Sequence, residues 1–297
     1  MAGERPLSGM TQPTSLGATG AVLAGLVFQN LGAAYAKTLF ATVGVLGTTA
    51  LRVTLAALVL SALARPWRRS RDVRSWRALG AYGMVLGLMN ISIYEAFARI
   101  PIGVAVAIEL MGPLAVAVLG SRRWIDLVPV GFAVAGLALL TPIAGADRLD
   151  PYGVAFAVAA AVAWALYIVC GARLAEEGGG PATVALGLVI AAVVTAPLGL
   201  YAAGGALLDP RMLAAGLALA LLSSVAPYTW EMVALRRLTP RVFGLFVCSA
   251  PAIAALLGWL VLGEGLAPAH GVAILIIMIG CLLGAWKAPA KEPVTTY

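Results

Sequence analysis

The sequence predicts an all-α integral membrane protein with ten transmembrane helices, arranged as two inverted five-helix repeats. Three observations carry this prediction: an apolar composition, a series of long uncharged segments, and a similarity between the two halves. Of 297 residues, 62% are apolar and only 11% are Asp, Glu, Lys or Arg, against about 25% charged in soluble domains. A mean hydropathy of +0.97 also excludes a disordered chain, because disorder requires low hydrophobicity and high charge.

The apolar segments have the length of membrane spans. A spanning helix needs about 20 predominantly apolar residues. Uncharged runs of suitable length supply eight candidates, and two further apolar segments carry one ion each, Arg52 and Glu109. Without these two, long apolar segments would remain in water with nothing to bury them. The predicted spans are residues 6–36, 41–64, 78–94, 101–121, 127–146, 151–172, 178–208, 212–230, 242–263 and 265–286.

The basic residues predict the orientation of these spans. Fifteen of the 20 Lys and Arg residues fall in the two tails and in the loops that would share their side, and four fall in the opposite loops. The positive-inside rule therefore predicts that both termini are cytoplasmic. Because the basic residues lie between apolar spans, the net charge of +7 indicates membrane orientation and no nucleic-acid partner.

The two halves of the chain resemble each other at an offset of 138 residues. This offset aligns residues 98–100 with 236–238 and places Pro113 and Pro251 at the same point of the fourth and ninth spans. Residues 1–146 and 147–297 are therefore predicted to be two five-span repeats within one transmembrane domain. Five is odd, so the second repeat enters the membrane inverted, which is typical of secondary transporters.

Polar side chains inside the predicted spans are the candidate substrate site. Ionised residues within spans are rare and usually face the interior of the bundle. Arg52 also has a structural interpretation, in which it forms an ion pair with one carboxylate. The aromatic residues and the carboxylates have a packing or structural alternative as well. The residues predicted to bind substrate are Asn30, Asn90, Tyr94, Glu109, Trp164, Tyr167, Tyr228 and Glu231.

The two aligned prolines predict helix breaks. A proline has no N–H group, so Pro113 cannot donate to the carbonyl of Glu109, and Pro251 cannot donate to that of Val247. We expect these two breaks to act as hinges.

Neither a metal site nor catalysis is indicated. Cys170, Cys248 and Cys281 lie in apolar stretches without CxxC spacing, so neither a disulfide framework nor a zinc site is expected. No HExxH motif and no nucleophile elbow occur, and the chain has one His. The sequence therefore predicts a protein without a cofactor and without enzymatic activity.

Four segments resemble the threonine/homoserine exporter branch of the drug/metabolite transporter superfamily, of the EamA type. They are PIGVAVAIELMGPLAV (residues 101–116) followed by Ser121-Arg122-Arg123, GPATVA (180–185), PYTWEMVAL (227–235) and LGE (262–264). The resemblance implies ten spans in two inverted repeats, cytoplasmic termini and export of amino acids or other metabolites across the bacterial inner membrane. Glu109 and Glu231 match carboxylates of the family pattern.

One departure from the family pattern concerns the substrate. The family usually has Glu immediately before the proline of span nine, whereas this chain has Ala250 before Pro251. The resemblance implies an exporter of neutral or hydrophobic amino acids that works by alternating access. Its alternatives are an aromatic amino-acid exporter and an exporter of drugs or cationic metabolites. Proton coupling and facilitated diffusion both stay open.

The distribution of basic residues makes the orientation testable. In a variant without native cysteines, Ser70→Cys should react only with thiol reagents that enter the cytoplasm, while Gly145→Cys should react with impermeant reagents added outside. Labelling of intact cells measures both. Reaction of Ser70→Cys with an impermeant reagent would overturn the predicted orientation.

Overall fold

The computed structural model describes residues 15–68, 73–119, 128–140, 149–176, 181–227, 230 and 247–287. All regular secondary structure in these segments is helical, which confirms the predicted all-α class. The helices are α1 (residues 15–43), α2 (45–64), α3 (Val73–Phe97), α4 (Ile102–Glu109), α5 (Met111–Leu119), α6 (Val128–Leu140), α7 (Pro151–Glu176), α8 (Pro181–Ala203), α9 (Pro210–Ala220), α10 (Ala250–Leu262) and α11 (Pro268–Lys287).

The chain folds back on itself between α1 and α2. Gly44 interrupts the helical stretch with φ 69° and ψ 175°, a conformation that glycine adopts without the steric cost of a Cβ atom. Gly32 and Arg52, on either side of this break, both lie against Ser223. A straight helix would separate two residues twenty positions apart by about 30 Å. The reversal at Gly44 therefore brings α1 and α2 to the same turn, which follows α9.

Turn residues occur at the aligned positions of the two halves. The fourth predicted span ends as α4 at Glu109, passes through Leu110 and resumes as α5. In the second half, turn residues Cys248 and Ser249 precede α10, and Pro251 lies in the first turn of that helix. The offset of 138 residues maps Leu110 onto Cys248. Each break precedes its proline by two or three residues, as expected from the lost backbone donor.

The short helix α4 lies at the centre of the bundle. All of its residues from Ile102 to Ile108 are buried, and it packs against α10, α7 and α11. Its packing depends on small residues: a Cβ atom on Gly103 would lie 2.7 Å from the Cα of Ala255 in α10. Small residues let helix backbones approach closely within a membrane. Glu109, at the end of α4, is thereby carried to the middle of the protein.

Loops from both halves meet at one end of the bundle, which we call the Lys37 end. Lys37 forms an ion pair with Glu264 and donates to the carbonyl of Ile100 over 3.5 Å. The second carboxylate oxygen of Glu264 accepts from the N–H of Ile102 at 3.0 Å. Arg99 is paired with Glu95 and lies 3.9 Å from Asp150. The sequence predicts these loops on one face of the membrane, and this alternation stays a prediction.

Three helical stretches among the described residues are long and apolar enough to cross a membrane: Gly20–Ala64, Pro151–Leu174 and Pro181–Leu208. Further apolar helices are shorter, namely Ile102–Val116, Pro210–Val225, Ala250–Leu262 and Pro268–Gly280. The count of ten spans and the inverted repeat stay predictions. The boundary between residues 146 and 147 lies outside the described residues.

The contact between α5 and α7 gives a test of this packing. A Cβ atom on Gly112 would lie 2.1 Å from the carbonyl oxygen of Ala161, whereas one on Gly271 would meet nothing within 4 Å. Gly112→Ala should lower the free energy of unfolding by about 1–3 kcal/mol, because the backbone of α7 must shift. Gly271→Ala is the control. Thermal unfolding in detergent measures both, and equal midpoints would contradict the proposed close approach.

Candidate functional site

The centre of the candidate site is the guanidinium group of Arg52, in the middle of α2. Its Nη1 donates to Oδ1 of Asn90 in α3 at 2.8 Å, and its Nε donates to Oγ of Ser224 at 3.3 Å. Its Nη2 donates to the backbone carbonyl of Ser223 at 3.4 Å. Three helical segments that are distant in sequence therefore converge on one cation.

An aromatic wall lies on one side of this cation. The guanidinium carbon of Arg52 is 5.2 Å from the ring centroid of Tyr94, which is 1% exposed. The Tyr94 hydroxyl group lies close to Arg52 and Ser223. Phe40 and Phe97 pack against the ring of Tyr94 with centroid distances of 6.0 Å and 5.7 Å. A cation over an aromatic face is stabilised by the ring quadrupole, so Tyr94 contributes to holding the guanidinium.

A widened helical turn supplies two of the three acceptors. After α9, residues Leu221–Val225 form a π-helical turn, and both Ser223 and Ser224 belong to it. The hydroxyl of Ser223 is turned back to its own helix, where it donates to the carbonyl of Leu219 at 2.7 Å. The carbonyl of Ser223 and the hydroxyl of Ser224 are what Arg52 contacts. Such π turns are frequently found at functional sites.

The amide of Asn90 is oriented by its own helix. Its Nδ2 donates to the carbonyl of Leu86 at 2.8 Å, and this bond leaves Oδ1 directed at Arg52. Asn90 is 4% exposed, so few other conformations are open to it.

The charge of Arg52 is not balanced by a direct ion pair within the described segments. The ion pairs found there join Lys37 to Glu264 and Arg99 to Glu95 and Asp150. Glu109 is half-buried and within electrostatic range of Arg52. Glu231, the other carboxylate predicted here, lies outside the described residues. The predicted ion pair of Arg52 therefore stays a prediction.

The hydrogen-bonding capacity of Arg52 indicates what this arrangement can bind. A guanidinium has five N–H donors, and the described residues accept from three of them. Beyond these three bonds, arginine matches the two oxygens of a carboxylate especially well. An anionic group close to Arg52, with a cationic group close to Glu109, would satisfy both charges.

The other predicted residues form contacts with groups other than Arg52, or lie outside the described residues. Asn30 is buried and donates to the carbonyl of Leu26 within α1 at 2.9 Å. Trp164 is half-buried and packs against the main apolar core. Tyr167 is stacked on Tyr82, with their hydroxyl groups 2.9 Å apart. Tyr228, like Glu231, is outside the described residues.

Sequence reasoning missed two features of the structure. The carbonyl of Ser223 could have been found from Pro227, because a proline removes the donor to the carbonyl four residues before it. No sequence pattern indicates the ion pair between Lys37 and Glu264, since the two residues are 227 positions apart.

Comparisons with known proteins agree with this architecture. A family model described as the EamA-like transporter family matches residues 151–285. A solved crystal structure shares the fold with a TM-score of 0.60 at 23% identity, over 91% of this chain and 97% of the other.

Curated relatives match most of the chain. The threonine/homoserine exporter RhtA of Escherichia coli (strain K12) is 44% identical over 263 residues, which is 88% of each protein. RhtA of Salmonella typhimurium (strain LT2) is 43% identical over 266 residues, also 88% of each. A membrane transporter, not an enzyme, is thus the class that composition, fold and relatives share. The chain belongs to the EamA-like transporter family.

Proposed function

We propose that this protein exports neutral amino acids of the threonine and homoserine type across the bacterial inner membrane by alternating access. The structural observation that carries the proposal is the buried cation of Arg52, with the carboxylate of Glu109 within electrostatic range of it; the described residues accept from three of the five N–H donors of Arg52. A zwitterionic amino acid carries the complementary pair of charges. The relatives named for threonine and homoserine export support the same substrate class.

In this proposal each side of the substrate has its own partner. Arg52 binds the carboxylate, with Asn90 and Tyr94 beside it. Glu109 binds the ammonium group, and Tyr228 and Glu231 stay candidates for the same role. Asn30, Trp164 and Tyr167 stay candidates for contacts with the rest of the substrate. The ammonium and carboxylate groups of the substrate match both charges of the site. The substrate side chain therefore needs no charge, and a short hydroxylated or apolar side chain fits.

An exporter of drugs or cationic metabolites is not favoured by this site. A lipophilic cation would gain from Glu109 and the aromatic rings, yet it would be repelled by the Arg52 guanidinium. At a separation of 4 Å, two like charges cost about 4 kcal/mol at an effective dielectric constant of 20. The amino-acid proposal uses both charges, whereas the cation proposal leaves Arg52 without a function.

The transport cycle in this proposal uses the two inverted repeats, residues 1–146 and 147–297, with both termini in the cytoplasm. The matching breaks at Leu110 and Cys248 support a pair of hinges beside Pro113 and Pro251. At the Lys37 end, Glu264 joins the loop after α10 to Lys37 and to the first residue of α4. These contacts would have to separate for substrate to leave on that side. Transport measured with and without a proton gradient distinguishes proton coupling from facilitated diffusion.

Reconstituted vesicles test the function. Wild-type protein should transport labelled threonine and homoserine, with competition by other neutral amino acids and little by lipophilic cations. Arg52→Gln should raise the KM for threonine about tenfold or more, since a hydrogen bond to a charged group contributes about 1.5–3 kcal/mol. Glu109→Gln should reduce transport through loss of the ammonium partner.

The matched control is Arg99→Gln, which removes a cation at the Lys37 end, away from the Arg52 group. Its KM should stay near the wild-type value. No transport of any amino acid by wild-type vesicles, or normal transport by both Arg52→Gln and Glu109→Gln, would refute the proposed function or the proposed site respectively.

The hinges are tested by restoring the missing backbone donors. Pro113→Ala and Pro251→Ala should each slow turnover more than they weaken equilibrium binding, because a straighter helix changes the rate of opening and not the contacts to substrate. Pro197→Ala is the control, since Pro197 lies inside α8 with an exposed side chain. If Pro197→Ala slowed turnover as much as the other two, the hinge assignment would fail.

A further inference from the structure

The α-helical donor to the backbone carbonyl of Ser223 is missing. In a regular α-helix this carbonyl would accept from the N–H of residue 227. Residue 227 is proline, which has no N–H group. A carbonyl in an apolar bundle without a donor costs several kcal/mol. Because Pro227 cannot donate, a nearby side-chain donor stabilises this carbonyl.

Arg52 donates to this carbonyl. Its Nη2 bonds to the carbonyl of Ser223, and its Nε bonds to the hydroxyl of Ser224, the next residue. Both acceptors belong to the π turn Leu221–Val225. Two bonds to adjacent residues of one rigid turn, with a third to Asn90 from a different helix, restrict both the position and the rotation of the guanidinium plane.

The turn itself is held by α1. A Cβ atom on Gly32 would lie 2.6 Å from Cβ and 3.1 Å from Cα of Ser223. A Cβ atom on Gly25, two turns earlier in α1, would be 3.7 Å from the carbonyl oxygen of Pro227. The missing side chain of Gly32 allows α1 to lie directly against the turn, and Gly25 is in ordinary van der Waals contact with Pro227. The backbone of α1 thus packs against the turn that carries the acceptors for Arg52 and restricts their position.

We propose that Pro227 and Ser224 are positioning residues for substrate selection, which rests on the proposed function that Arg52 binds the substrate carboxylate. Pro227 leaves the Ser223 carbonyl to Arg52, and Ser224 fixes the Nε side. The guanidinium is then oriented for one ligand geometry, that of a free carboxylate. The transporter consequently requires a free carboxylate on its substrate and rejects amides and esters of the same amino acid, because a site built for hydrogen bonds discriminates strongly against a ligand that cannot form them.

The experiment measures selectivity in reconstituted vesicles. Competition against labelled L-threonine gives the ratio of affinities for unlabelled L-threonine and L-threoninamide. Wild-type protein should prefer threonine by a factor of about 100 or more. Ser224→Ala and Pro227→Ala should each lower this ratio about tenfold through the KM for threonine, with a smaller change in the maximal rate.

Two matched variants separate positioning from general damage. Ser224→Thr keeps a hydroxyl group and should recover more of the ratio than Ser224→Ala does. Pro197→Ala also restores a helical backbone donor, but in α8, and should leave the ratio unchanged. Loss of packing lowers the affinity for both ligands together, so it reduces transport without changing the ratio.

The selectivity ratio tests the positioning role, whereas threonine transport by wild-type protein tests the proposed function. Wild-type ratios in both Ser224→Ala and Pro227→Ala, with threonine transport intact, would overturn the positioning role and leave the exporter assignment standing. Absence of threonine transport by wild-type protein would overturn the exporter assignment itself. If Pro227→Ala does not reach the membrane fraction, the comparison of Ser224→Ala with Ser224→Thr decides.

Discussion

The structure depends on the burial of one cation, Arg52, among apolar helices. An ion inside a membrane bundle is tolerated only where polar partners replace its water. Those partners come from α3 and from the turn after α9. Each partner is itself held in place: Asn90 by Leu86, and the Ser223 turn by α1. The need of this single charge for polar partners therefore constrains the relative positions of α1, α2, α3 and α9.

Close packing by small residues makes that convergence geometrically feasible. Helices can bring a carbonyl and a guanidinium together in the interior only if their backbones approach one another, and the glycines of α1, α4 and α5 permit this approach. The abundance of Gly and Ala is therefore connected to the site, although none of these residues has chemistry of its own. Prolines contribute as well, because each one lacks the N–H group that would donate to a backbone carbonyl. Near Pro227, Arg52 donates to the carbonyl of Ser223.

A polar network occupies the Lys37 end as well, and it differs in kind from the central one. Glu264 and Lys37 join the loop after α10 to α1, and Glu264 also caps the first N–H of α4. Both side chains are partly exposed, so solvent can replace the pair when it opens. The Arg52 network is more buried, so separating its contacts would cost more free energy. In the proposed transport cycle, the Arg52 network would be the stable centre and the Lys37 end would separate.

The sequence by itself determined the membrane class, the helical fold and the family, because hydropathy, span length and local motifs are properties of contiguous residues. It also indicated Arg52, Asn90, Tyr94 and Glu109, since polar groups within apolar spans must face one another. Only the tertiary structure decided which acceptors Arg52 uses, that Tyr167 lies against Tyr82, and that Lys37 joins Glu264. These are contacts between residues far apart in the chain. Their partners are chosen by how closely helix backbones pack, and a one-dimensional pattern of polar and apolar residues does not encode that distance.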